Sequence, residues 1–415
     1  MISLLQARTL ALASVSAGPI VRVPLLDARG LFLAETIHAP RDMPAYDSSA
    51  TDGFAVQAQD TRGAKRDSLR WLKIIGSVFA GAPVPDRDLQ AGEAYRIFAG
   101  APIPYGADAV LRQELARDDG QKAAVFAEVE PGENVRRRGE ELTERQVVFA
   151  AGHRLDARSV GVLASMGLAA ARVRPSPRVA IIVVGEEWFA PGTPVLSHQT
   201  YDGIGPLLAA LCADGGAEVL AIERSADRDE EIERALGRHL SRADLLLTAG
   251  GASARVKHVL ASRGATLGFE GVALTPGKSA SLALWNGVPI CLLPASPAAA
   301  AVAFDQLARP MLLARQGVLE KRRVERVRLD AKHRKHPEVL HLLSAHLDRR
   351  PDGSWARVRT SGAGQLLHHV GSDGWVVLPV GKAELAAGEE VDLELFASPS
   401  YRPLFARDNP EETTR

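Results

Sequence analysis

Cysteine is scarce in this chain, with two in 415 residues. That excludes a disulfide scaffold and fits a reducing compartment. Cys212 and Cys291 both sit in apolar runs, the setting of buried structural thiols. An excess of either charge is also missing: 50 Lys+Arg balance 50 Asp+Glu, which argues against a general nucleic-acid binder. No run of about 18 uninterrupted apolar residues occurs, so no membrane segment is expected. Residues 2–17 are apolar, but they lack a basic leader, and Gln6 and Arg8 interrupt them. They read as an amphipathic first helix, and the cytoplasm is the expected location. Neither G-x-G-x-x-G nor a Walker loop is present, which argues against a dinucleotide site or a P-loop NTPase. There is no G-x-S-x-G and no cysteine nucleophile motif. His333, His336, His341 and His346 cluster loosely without H-E-x-x-H spacing or a cysteine, so they do not read as a zinc site.

What is present divides the chain. Its length suits about two to four domains. The first 175 residues hold short β-like runs separated by Gly, Pro and Asp clusters, such as 79–85 and 101–106, and read as β-rich. Two prolines, Pro175 and Pro177, mark a boundary. From Arg178 strands and helices alternate. Strands are expected at 179–184, 219–222, 244–248 and 290–293, with helices at 204–211, 229–240 and 298–315. This predicts a parallel sheet with helices on both faces. Beyond about Gln316, alternating runs at 322–329 and 390–396 and a third β-like run at 375–378 predict a small all-β domain.

Ligands of open parallel sheets bind beyond the carboxyl ends of the strands. Three loops there are informative. Gly185-Glu186-Glu187 carries two carboxylates, Gly250-Gly251-Ala252-Ser253 carries glycines and a hydroxyl, and Pro276-Gly277-Lys278 offers a cation at a tight turn. Small residues let backbone N–H groups approach a phosphate. Together the loops suggest an anionic, phosphorylated ligand. Read alone, residues 47–55 are a capped turn, and 136–141 places three arginines beside two glutamates, which is either a solvated charge run or an oxyanion site.

In this order the motifs resemble the molybdopterin molybdenumtransferases, the MoeA and gephyrin E-domain family. D-x-S-A-M-D-G-[YF]-A is matched at 47–55, T-G-A-P-x-P-x-G-A-D-A-V at 99–110 with Gln113-Glu114 after it, and N-[IV]-R-x-x-G-E-D at 134–141. G-[DN]-E-L is matched at 185–188, Y-D-x-N at 201–204, S-G-G-x-S at 249–253, P-G-K-P at 276–279 and L-P-G-N-P at 293–297. The resemblance implies an α/β multidomain fold. A linker domain takes in 1–49 and 141–176, an inserted β-rich domain 50–140, a doubly wound α/β molybdopterin-binding domain 177–318, a C-terminal β domain 319–405, and a tail 406–415. It also implies insertion of molybdate into adenylylated molybdopterin with release of AMP, with Mg²⁺, by a cytoplasmic homodimer. The site lies between the α/β domain of one subunit and the N-terminal region of the other. Possible protein partners are a molybdopterin adenylyltransferase and a molybdoenzyme.

Carried over residue by residue, the resemblance implies Asp52, Glu187, Asp202 and Lys278 as catalytic. Gly250, Gly251, Ser253, Arg136 and Ser296 hold the pterin substrate, and Glu187, Asp202 and Glu141 hold the metal. Other positions depart from the family pattern. Ala99 replaces Thr, Ile204 Asn and Thr275 Lys, while Arg255 and His258 stand where Gly and an acid are usual. Ser279 replaces Pro, and Ala295-Ser296 replaces Gly-Asn. Arg255 and His258 should favour an anion and disfavour a cation. Three readings follow: a working transferase; a catalytically weakened paralogue that binds or delivers molybdopterin or the finished cofactor; and a scaffold for protein contacts.

Overall fold

The computed structural model describes residues 1–250, 253–358, 365–396 and 400–403. The chain forms two compact units: Met1–Glu35 with Ala150–Ala164 and Leu168–Arg415, and Thr36–Phe149 with Ser165–Gly167.

The first unit contains the α/β domain. Its elements are β1 (Arg178–Val184), α1 (Ile204–Asp214), β2 (Glu218–Ser225), α2 (Asp229–Leu240), β3 (Leu245–Gly250), α3 (Ser253–Ser262), β4 (Thr266–Glu270), β5 (Ser281–Trp285), β6 (Val288–Leu292) and α4 (Pro297–Ala303). The strand order is β2-β1-β3-β6-β5-β4. β2, β1, β3 and β6 are parallel, whereas β5 pairs antiparallel with both β6 and β4. The sheet is therefore mixed rather than wholly parallel. Asn286 and Gly287 join β5 to β6 at φ 50° and 79°, the left-handed pair that a two-residue hairpin requires.

After Arg178, β1 is apolar because both of its faces are covered. Val179, Ile181 and Val183 join one core with α1, α4 and the N-terminal helix Leu4–Ala13. Ala180, Ile182 and Val184 join the other with α2 and α3. Cys212 and Cys291 are buried, and burial pushes both thiols up to about 12. They are inert packing groups, as their apolar surroundings predicted.

The expected helix 298–315 is interrupted. α4 runs into a π turn, Phe304–Ala308, before the helix Arg309–Arg315. Pro310 explains this, since it has no N–H for the Gln306 carbonyl four residues earlier and its ring crowds that oxygen. The freed carbonyl accepts Arg8 Nε at 3.2 Å instead.

In the C-terminal domain, strand Leu340–Arg350 pairs with Gly353–Val358 and Gly374–Leu378. Strand Val324–Leu329 pairs with Gly353–Val358 and Glu390–Leu395, and the latter with Gly374–Leu378. The ring closes around Val327, Leu329, Ala356, Val376 and Leu393. His333 is buried, while His341 and His346 lie on strand Leu340–Arg350.

The second unit holds a six-stranded sheet in the order Ala109–Arg112, Gly53–Val56, Glu93–Ile97, Arg70–Val78, Lys122–Val125, Ala116–Asp118. This compact region begins at Thr36 and ends at Phe149, wider than the 50–140 insert that the resemblance implies.

Candidate active site

The α/β sheet reverses its winding between β1 and β3. From β1 the chain passes to β2 on one side, then to β3 on the other, which makes the crevice above β1 and β3 the switch point where ligands bind. Val184, at the end of β1, is paired with Gly250, at the end of β3. Both exits need glycine: φ is +146° at Gly185 and +95° at Gly250. A side chain on Gly250 would overlap the Val184 carbonyl oxygen, and one on Gly185 would overlap the Glu187 carboxylate.

Beyond Gly185, Trp188–Phe189 pairs in parallel with Thr200–Tyr201. This ribbon leaves Glu187 exposed at one end and delivers Asp202 to the start of α1. Asp202 is fully buried. Its Oδ1 accepts the N–H groups of Ile204 at 3.0 Å and Gly205 at 2.8 Å, and its Oδ2 accepts Arg224 Nη1 at 3.3 Å. Helix N-termini carry unpaired N–H groups, and a carboxylate satisfies them. Both oxygens are thereby engaged in holding the helix start and Arg224.

Ser296 and Lys278 are among the unspent side chains at the crest. Ser296 sits at the N-cap of α4 without capping it, and its Oγ is buried with no hydrogen-bond partner. The Lys278 ammonium is exposed, with no carboxylate in ion-pair range among the described residues. Gly251 lies outside the described residues, and of Ser253 only its place at the start of α3 is described.

The cations that replace an acid on α3 are not free. Arg255 Nε lies 3.0 Å from Asp227 and its Nη1 3.5 Å from Asp229, while His258 is 3.8 Å from Asp229. Carboxylates of the β2–α2 loop and of the first residue of α2 therefore face that positive character.

In the second unit, Asp52 lines a cleft of about 410 Å³ with Phe54, Arg96, Phe98, Gln113 and Glu114. Its Oδ1 accepts the Ala99 N–H at 2.8 Å. The three arginines beside Glu140 face separate carboxylates. Arg136 meets Glu140 at 2.7 Å and Glu141 at 3.5 Å, Arg137 meets Asp47 at 2.7 Å, and Arg138 meets Asp42 at 2.5 Å. The bond to Glu140 holds the Arg136 guanidinium above its ordinary pKa. Arg136 is thus paired within its own loop.

The Mg²⁺ implied by the resemblance does not fit its expected ligands. Asp202 is fully buried with both oxygens engaged, and no group of three His, Cys, Asp or Glu gathers to hold a metal among the described residues.

A cavity of about 470 Å³ is lined by none of these crest residues. Leu207, Leu211, Ala301, Trp375 and Phe396 wall it, and its charged floor is paired within itself. Arg309 binds Glu320 at 2.7 Å, and Arg322 binds Asp305 at 2.5 Å. Trp375 Nε1 donates to Asp305 at 2.7 Å. It reads as a latch between α4 and the C-terminal domain.

Comparison with known proteins decides the family. Residues 2–167 match the MoeA N-terminal region (domain I and II), 180–314 a probable molybdopterin binding domain, and 326–396 the MoeA C-terminal region (domain IV). The chain is 34% identical to molybdopterin molybdenumtransferase 2 of Mycobacterium tuberculosis over 307 residues, 72% of this chain and 76% of that one. The chain belongs to the molybdopterin molybdenumtransferase family. It is also 33% identical to the Haemophilus influenzae molybdopterin molybdenumtransferase, over 71% of this chain and 72% of that one. The crystal structure of the molybdopterin biosynthesis MoeA protein from Pyrococcus horikoshii aligns with a TM-score of 0.79 at 28% identity. It covers 96% of this chain and all of that one. The family consists of transferases of molybdenum cofactor biosynthesis, and the three-part α/β multidomain architecture is theirs. No helix among the described residues is long and apolar enough to cross a membrane.

The sequence reading passed over Arg224 and Trp188. Arg224 gave no signal, because its partner Asp202 comes from a different loop. Trp188 gave one, as an indole standing where the family pattern has Leu.

Proposed function

We propose that this chain is a working molybdopterin molybdenumtransferase, taking adenylylated molybdopterin and molybdate and releasing AMP. The crest supports this reading most strongly. Gly185 and Gly250 clear the space above the switch point, and the Ser296 hydroxyl and Lys278 ammonium are left without protein partners. Such groups suit the phosphoryl oxygens of a nucleotide-linked ligand. Lys278 holds negative charge that develops as AMP departs. Glu187 is the carboxylate available at the α/β crest, and Asp52 the one in the N-terminal cleft. Asp202 acts by positioning α1 rather than by touching the substrate. The pairing of Arg255 with Asp227 and Asp229 weakens one argument for a carrier that binds anions without turnover. The reading takes the chain as a cytoplasmic homodimer, supplied by a molybdopterin adenylyltransferase and serving a molybdoenzyme.

The test is AMP release from adenylylated molybdopterin in the presence of molybdate. Wild type turns over, while Glu187→Ala and Asp52→Ala lose turnover without unfolding. Full turnover by either variant removes that residue from the site.

A further inference from the structure

We propose that Trp188 is a substrate-binding residue, its indole N–H donating to a phosphoryl oxygen of the ligand at the crest; this rests on the function proposed above. The indole ring packs partly against the core. Its Nε1 is buried and has no hydrogen-bond partner. A Cβ placed on Gly185 would lie 2.8 Å from that nitrogen, and one on Gly250 would lie 3.1 Å from it. The N–H edge therefore sits beside both glycines, at the paired ends of β1 and β3. An indole nitrogen only donates, so no rotation or tautomer can satisfy it from within. Buried polar groups are almost always paired, and one left unpaired weakens the fold. Phe or Leu would fill the same space without that penalty.

A donor kept unpaired where the strands end is explained by an acceptor that arrives with the ligand. The Ser296 hydroxyl, at the end of neighbouring β6, is likewise buried and unpartnered. The ten-residue helix α3 begins three residues after Gly250, and its N-terminus favours an anion at the same place. An anionic oxygen also makes the stronger bond with a neutral donor.

Trp188→Phe keeps most of the ring and removes the N–H. It separates binding from packing, because a ligand donor and a packing residue respond with different signs. Losing an unpaired donor leaves the urea midpoint unchanged or higher, while affinity falls about ten-fold or more. The experiment measures the urea midpoint and calorimetric affinity of wild type and Trp188→Phe, with inorganic pyrophosphate and with adenylylated molybdopterin. An equal or higher midpoint with weaker binding of either ligand supports the inference. A lower midpoint with unchanged affinity overturns it, as does no change in either, or a wild type that binds neither ligand. Wild-type turnover with an unaffected variant KM overturns the role of Trp188 and leaves the transferase reading standing. Trp188-dependent pyrophosphate binding by a protein that does not take adenylylated molybdopterin upholds the inference and refutes that reading.

Discussion

Replacing Asp202 by Ala separates a positioning carboxylate from one that touches substrate. In the folded chain Asp202 accepts two backbone N–H groups at 3.0 and 2.8 Å and one arginine N–H at 3.3 Å. Loss of a carboxylate that satisfies a helix start costs about 1 kcal/mol. Leaving the buried donors of Ile204 and Gly205 unpaired adds roughly 1–3 kcal/mol. The Arg224 side chain is 36% exposed and can turn to water, so its lost ion pair adds under about 1 kcal/mol. The sum is about 2–5 kcal/mol. With a urea m-value of roughly 2 kcal/mol per molar, the midpoint of the α/β domain falls by about 1–2.5 M. Asp202→Asn, which keeps an acceptor for the helix N–H groups, recovers more than half of the loss. Urea unfolding followed by far-UV circular dichroism measures both. A wild-type midpoint for Asp202→Ala together with abolished turnover would refute the positioning role and return Asp202 to the chemistry.

Other expectations follow from the same geometry. Gly250→Ala forces a Cβ against the Val184 carbonyl at a φ of +95°; a cost of about 2–4 kcal/mol in urea unfolding is expected, and full stability would show that the strand end relaxes. Lys278→Ala leaves stability within about 0.5 kcal/mol, since the side chain is exposed, but raises the KM for adenylylated molybdopterin roughly ten-fold. An unchanged KM would place Lys278 off the ligand. Burial pushes the Asp305 carboxyl up, but bonds from Arg322 and Trp375 outweigh it and hold its pKa below the ordinary value. The stability it contributes is therefore full above the unfolded carboxyl pKa of about 4 and is lost as pH falls through the lower folded value. Asp305→Asn is destabilised by about 3 kcal/mol, with a constant gap from pH 5 to 8 that narrows below pH 4. A gap that widens on acidification would contradict the pairing.

The parts legible in sequence were those governed by local pattern. The β-branched run of β1 announces a strand covered on both faces, and acidic residues at Asp229, Glu230 and Glu231 mark the start of α2. The hairpin β5–β6 carried a readable Asn286-Gly287 turn, but the strand before it was overlooked, and with it the reversal of sheet direction. Asp202 stands just ahead of an apolar helical run, the position of a residue that holds a helix start. The family pattern drew attention to its charge instead. The destinations of Arg136 and Arg255 could not be read. Arg136 is opposed four residues along its own loop, and Arg255 meets carboxylates from a neighbouring loop, so only folding brings those pairs together. The π turn follows from Pro310, yet the alanine-rich stretch before it suits an α-helix equally well.

The measurement that bears most directly on the transferase reading is AMP release by purified wild-type protein given adenylylated molybdopterin, with and without molybdate. Molybdate-dependent AMP release, matched by molybdenum gained by the pterin, is the predicted result. Tight substrate binding with no AMP release above background would contradict it.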